Sequence, residues 1–319
     1  MRRITAVGVA SCLGGNHAEC GLGAEVLRCS LPLREICATN GIELRWAEPV
    51  RPGFHNVEPS VAGVCRRAAE LAYRLSKQNR PFLFFSGDHS SAMGIWKGVM
   101  TAFQPGRRCG LIWIDAHMDA HTFTTSPSGN LHGMPLAALL GQSDDKLQRF
   151  YRKGPTLQPE HVALFGVRSF EAAERALLQR LGIRYFTARQ LSSTEAFKHH
   201  LRQAIAHICG SADNYGISID LDAVDPADAP AVGTPEPNGI PGKLLCESLA
   251  EVNGDPRLIG LEIAEFSPLY DRRQRTEQLI AELVGAIYGD ANMPNRFLGS
   301  DRLGVNASSS PMSSSTAKR

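Results

Sequence analysis

Long apolar runs are missing from this 319-residue chain. None reaches the roughly 18 residues that a membrane-spanning helix needs, so no membrane partner is expected. A dense basic run is missing too. Lysine and arginine (34) nearly cancel aspartate and glutamate (32), and a formal net charge of +2 is too small to predict nucleic-acid binding. The eight cysteines, at 12, 20, 29, 37, 65, 109, 209 and 246, include no CxxC pair. They read as reduced, mostly buried thiols of a cytosolic protein rather than as disulfide or zinc ligands. The apolar stretch after Met1-Arg-Arg is too short for a secretory signal and reads as a first buried strand.

What is present is a βα alternation. Apolar runs of strand length recur at 4–9, 82–85, 111–114, 162–165, 217–221 and 258–263, with shorter candidates at 43–46 and 183–186. Several are apolar throughout, as expected when both faces of a parallel sheet are covered. Helical patterns lie between them, at 24–38, 60–77, 91–103, 132–140, 171–181, 194–209, 241–253 and 272–288. The alternation argues for an α/β architecture. An open sheet and a closed barrel both satisfy it. The length suits one large domain or two ordinary ones, and no linker interrupts residues 1–290. The end differs: residues 304–319 are Ser-rich and poor in apolar side chains, and read as a flexible tail after a domain spanning 1–303.

Four segments that follow expected strands carry the chemistry. They are Ser86-Gly-Asp-His-Ser90, Asp115-Ala-His-Met-Asp119, Ser218-Ile-Asp-Leu-Asp222 continuing to Pro226, and Glu262-Ile-Ala-Glu-Phe-Ser-Pro268. In α/β sheets ligands bind beyond the carboxyl ends of strands, so four such loops plausibly meet in one cleft. Taken singly, each residue has a bland reading as a helix cap, a loop carboxylate or a solvated glutamate. Together, His89, His117, Asp115, Asp119, Asp220 and Asp222 form an oxygen-rich donor set without thiolate. That set favours a hard or borderline divalent ion such as Mn²⁺ over structural zinc. Six ligand side chains exceed what one ion usually needs, and two ions bridged by carboxylates is the economical expectation.

The order Gly-Asp-His-Ser, Asp-Ala-His-x-Asp, Ser-x-Asp-x-Asp-x-x-Asp-Pro and a late Glu-x-x-Pro resembles the ureohydrolases, the family of arginases, agmatinases and related guanidino hydrolases. The resemblance covers most of residues 4–290. The run Ser128-Gly-Asn-Leu-His-Gly133 resembles the arginase substrate loop more than the agmatinase one. The resemblance implies a single-domain three-layer fold, an eight-stranded parallel sheet flanked by helices, usually assembled as trimers or hexamers. It implies two Mn²⁺ ions, one held by His89, Asp115, Asp119 and Asp220 and the other by Asp115, His117, Asp220 and Asp222. Asp115 and Asp220 would bridge. Co²⁺, Ni²⁺ and Fe²⁺ suit similar ligands.

The implied reaction is hydrolysis of the guanidinium of L-arginine to urea and L-ornithine by a hydroxide held between two cations. Glu265 would orient the guanidinium by paired hydrogen bonds, Asp119 would take the proton of the attacking water, and His132 would protonate the leaving amine. By resemblance, Ser126, Ser128, Asn130 and residue 121 would hold the substrate α-carboxylate. Residue 121 is usually Asn in arginases and is His121 here. Glu171 and Glu174 would hold the α-amino group, and Glu171 stands where arginases carry Asp. These two departures leave agmatine or a guanidino acid such as 4-guanidinobutyrate as alternative substrates. A metal-free binding protein on the same scaffold is the third expectation, weakened because every ligand and catalytic position is filled.

Overall fold

The computed structural model describes residues 1–53, 60–142 and 156–290. The expected tail at 304–319 and the last stretch of the expected domain lie outside the described residues. Eight strands alternate with helices: β1 (Arg2–Val9), β2 (Ile42–Trp46), β3 (Phe82–Ser86), β4 (Cys109–Ile114), β5 (Val162–Val167), β6 (Arg184–Thr187), β7 (Asn214–Asp220) and β8 (Leu258–Ala264). The described α-helices are α1 (Gly23–Cys29), α2 (Leu31–Thr39), α3 (Val61–Lys77), α4 (Ala92–Phe103), α5 (Pro135–Leu139), α6 (Ala172–Leu181), α7 (Thr194–Ile208), α8 (Gly242–Leu249) and α9 (Arg275–Tyr288).

The strands form one parallel sheet in the order β2-β1-β3-β8-β7-β4-β5-β6. The sheet is open, with β2 and β6 at its edges, and this excludes the barrel. Alternate residues of β4 explain why the strands read as unbroken apolar runs. Leu111 and Trp113 face a core shared with Ala68 of α3 and Ile95 and Val99 of α4. Ile112 and Ile114 face the opposite core, with Leu201 of α7, Leu245 of α8 and Leu283 of α9. Both faces of the sheet are therefore dry, and polar alternation has no place in it.

Four expected helices are shorter or broken; the one over 241–253 is α-helical only over Gly242–Leu249 and gives way to a 3-10 turn, Ala250–Val252. The helix expected over 24–38 divides at Ser30, whose side chain accepts the Leu33 N–H and caps α2, while Pro32 supplies a pre-set φ in the first turn. The one expected from 272 begins at Arg275, because Arg273 and Gln274 take left-handed φ of 61° and 54°. The pattern over 132–140 resolves into a short 3-10 turn, Leu131–Gly133, followed by α5 from Pro135. The break leaves His132 on a turn instead of inside a helix.

Candidate metal centre and active site

The carboxyl ends of β3, β8, β7 and β4 are neighbours in the sheet, and the four loops leaving them meet. Gly87 opens the first loop. A Cβ there would lie 1.9 Å from the Ser11 carbonyl oxygen, so only glycine lets the chain turn toward the next strand. His89 follows, fully buried, with Nδ1 3.3 Å from Asp115 Oδ2, 3.1 Å from Asp119 Oδ2 and 3.2 Å from Asp220 Oδ2. On the other side of Asp115, His117 Nδ1 lies 3.5 Å from Asp115 Oδ1 and 3.0 Å from Asp222 Oδ2. Asp115 thus offers one oxygen to each histidine-centred group. Asp220 turns Oδ2 toward His89, and its Oδ1 accepts the Asp222 N–H at 3.0 Å.

The donor set fits divalent cations on two grounds. His89 Nδ1 and Asp119 Oδ2 are buried and lack a hydrogen-bond partner among the described residues although they face each other, the arrangement of two lone pairs aimed at one point. Four buried aspartates also crowd two imidazoles. Burial, and then the charge of Asp115, pushes the Asp119 carboxyl up to about 7. Burial, and then Asp222 and Asp115, pushes Asp220 well above the usual carboxylate range. Like charges this close stay ionised only when cations sit among them.

Glu265 and His132 lie beside this centre. Glu265 Oε1 accepts the His89 backbone N–H at 2.8 Å and is 3.2 Å from His132 Nδ1. Burial works against a charged His132, but the hydrogen bond and charge of Glu265 outweigh it and raise the imidazole to about 9. Glu265 thus favours the charged form of the imidazole. Asp119 and Glu265 both take left-handed φ, 50° and 69°, a conformation that non-glycine residues adopt at some energetic cost.

Residues 3–289 match the family described as the Arginase family. The chain belongs to the arginase family. It is 35% identical over 237 residues to the arginase of Bacillus caldovelox, covering 73% of this chain and 77% of that one. It is 37% identical over 239 residues to the arginase of Brevibacillus brevis, covering 74% and 78%. The native structure of the Bacillus caldovelox arginase superposes with a TM-score of 0.82 at 29% identity, covering 92% of this chain and all of that one.

Further residues support this arginase-family centre. His89 Nε2 meets Ser218 Oγ at 3.0 Å, and Ser218 Oγ donates to Glu262 Oε2 at 2.8 Å. Buried Glu262 also accepts from Ser86 Oγ and Trp96 Nε1, each at 2.8 Å. The ring of Trp113 stacks on His89 with centroids 4.3 Å apart, and its Nε1 donates to Asp115 Oδ2 at 2.9 Å. Arg168 donates to the carbonyls of Asp222 (2.6 Å), Ala223 (3.1 Å) and Glu236 (2.8 Å), and so ties the loop after β7 to the one after β5. Sequence reasoning passed over Glu262, Ser218 and Arg168. A lone carboxylate inside an apolar strand was the signal for Glu262.

The residues expected at the substrate's far end divide into two groups. His121, Glu171 and Glu174 come together: His121 Nε2 is 2.8 Å from Glu171 Oε2 and 3.3 Å from Glu174 Oε2, and its Nδ1 is 3.1 Å from Thr125 Oγ1. Glu174 is buried, accepting the N–H groups of Ala120 and Glu171, and burial raises its carboxyl to about 7. Ser126 and Ser128 bond within their own loop, to the N–H groups of Gly129 and Asn130. Thr125, next to Ser126, links that loop to His121.

Proposed function

We propose that this chain hydrolyses the guanidinium group of L-arginine, giving urea and L-ornithine. The observation that carries the reading is Asp115 placed between His89 and His117, with Glu265 and His132 paired beside the same centre. The arginases among its relatives support the substrate. Two divalent ions, Mn²⁺ in our reading, would be held by His89, Asp115, Asp119 and Asp220 and by Asp115, His117, Asp220 and Asp222. Bound there, they supply a more acidic water and so a nucleophile near neutral pH.

The remaining steps belong to side chains. Glu265 accepts hydrogen bonds from the guanidinium and holds its central carbon toward the acidic centre. Asp119 accepts the proton of the attacking water. His132, charged beside Glu265, gives a proton to the leaving amine as the C–N bond breaks. Ser126, Ser128, Asn130 and His121 would meet the substrate's carboxylate, and Glu171 and Glu174 its amino group. We further infer a cytoplasmic homo-oligomer, a trimer or hexamer by analogy with the family. No helix among the described residues is long and apolar enough to cross a membrane, and the eight cysteines are free.

One observation favours a second substrate. The carboxylates of Glu171 and Glu174 already face His121 Nε2, so a guanidino acid without an amino group leaves that trio intact. Urea release from L-arginine, agmatine and 4-guanidinobutyrate separates the readings. Arginine turning over fastest supports the first, and 4-guanidinobutyrate turning over fastest replaces it with the second. Agmatine at or above arginine overturns the arginine reading.

A further inference from the structure

The end of the sheet opposite the acidic centre is rich in arginine. A cleft of about 340 Å³ opens there, between the first residues of β1 and β7 and the loops that lead into β3, β4 and β8. Arg2, Arg80 and Arg107 line it, together with Ser76, Asn214 and Asp255. Its volume is that of a small-molecule site.

The three guanidinium groups meet neutral partners only, among the described residues. Arg2 Nη1 reaches Asn253 Oδ1 at 3.4 Å, and the group lies 5.4 Å from the Tyr288 ring centre. Arg80 donates to Thr5 Oγ1 at 3.0 Å and to Gln78 Oε1 at 3.4 Å. Arg107 donates to Asn214 Oδ1 and lies over the Phe103 ring. The carboxylate lining the cleft, Asp255, is already engaged: Arg257 grips it through Nε at 3.0 Å and Nη2 at 2.7 Å, and Tyr215 donates to it at 3.0 Å.

Helices α3 and α4 end at Lys77 and Phe103, beside the cleft. A helix carboxyl end carries roughly half a negative charge, so two of them offset about one of the three cations. An excess of about two positive charges remains.

We propose that this cleft binds a small organic polyanion, whose oxyanion groups take the Arg2, Arg80 and Arg107 guanidinium donors. Guanidinium forks match phosphate and carboxylate alike, so the shared chemistry is a compact molecule with two or more oxyanion groups. The proposal is independent of the reaction at the other end of the sheet.

The test is calorimetric titration of the metal-loaded full chain in 0.15 M salt, with fructose 1,6-bisphosphate in one arm and citrate in the other. Saturable binding with Kd below about 1 mM is expected in at least one arm. The bisphosphate binding alone identifies a phosphorylated ligand, and citrate binding alone identifies a polycarboxylate. Arg80→Gln and Arg107→Gln should each weaken that binding by about tenfold, a loss of about 1.4 kcal/mol. Both variants should keep the wild-type metal content and melting temperature. Two results overturn the proposal. One is the absence of saturation in both arms. The other is a titration that the arginine variants leave unchanged, which would trace the heat to chelation at the acidic centre.

Discussion

Glu265 shows how much a single side chain carries here. It sits at φ 69°, accepts the His89 N–H and pairs with His132, so one carboxylate touches both the loop of the proposed ligand His89 and the proposed proton donor. Glu265→Gln keeps the shape and the contact to His89 but removes the charge. The variant should bind metal as before while kcat falls by about 10²- to 10³-fold, the usual effect of losing one group that stabilises developing charge. Metal content by elemental analysis and turnover by urea release check this, and near-normal turnover would remove Glu265 from the mechanism. Ser218→Ala tests a different role. Ser218 connects His89 Nε2 to buried Glu262, and groups behind a metal-ligating histidine commonly contribute 10- to 100-fold in metal affinity. Competition titration should show a loss of that size, and unchanged affinity would make the Ser218 contact incidental. The six proposed ligand residues were legible in the sequence because aspartates and histidines cluster at strand ends, where nothing in folding asks for them. Ser218 and Glu262 were harder to read. Their role depends on β7 lying beside β8, and pairing between strands is not a local property.

The elements that carry the site are shaped by steric limits as much as by propensity. The loop after β3 turns at Gly87, where the Ser11 carbonyl leaves no room for a side chain. Gly87→Ala must push the backbone outward and carry His89 with it. Overpacking of this kind costs about 1–3 kcal/mol. A urea-denaturation midpoint lowered accordingly, with weakened metal binding, is the expected outcome, and a variant equal to wild type in both would show that the loop tolerates the shift. Helix boundaries were the least legible part of the chain. Residues 24–38 have continuous helical periodicity, yet Ser30 and Pro32 end one helix and start another. Periodicity records which face is buried and does not register a change of axis. Left-handed Arg273 and Gln274, which delay α9, were invisible for the same reason: neither residue type announces positive φ.

At the scale of the whole molecule, the acidic centre is a concentrated charge at the carboxyl end of a dry sheet, and its stability depends on what fills it. Chelation should therefore lower the melting temperature. Mn²⁺ added at about 100 times its Kd should restore about 2.7 kcal/mol, or about 4 °C for a chain of this size. Differential scanning calorimetry measures this directly, and a melting temperature indifferent to metal would mean that the folded chain holds none. The sequence by itself determined the class of the fold and the chemistry of the site. Unbroken apolar strands require two covered faces, and carboxylates at their ends require cations. Only the tertiary structure decided that the sheet is open, because the same βα pattern closes into a barrel equally well. Only the strand order β3-β8-β7-β4 made one centre of four loops up to 176 residues apart in the chain. It also paired His121 with Glu171 and Glu174 and gathered three arginines at the opposite end. Such meetings follow from which strands lie side by side, and that is settled by the packing of the whole chain rather than by any segment of it.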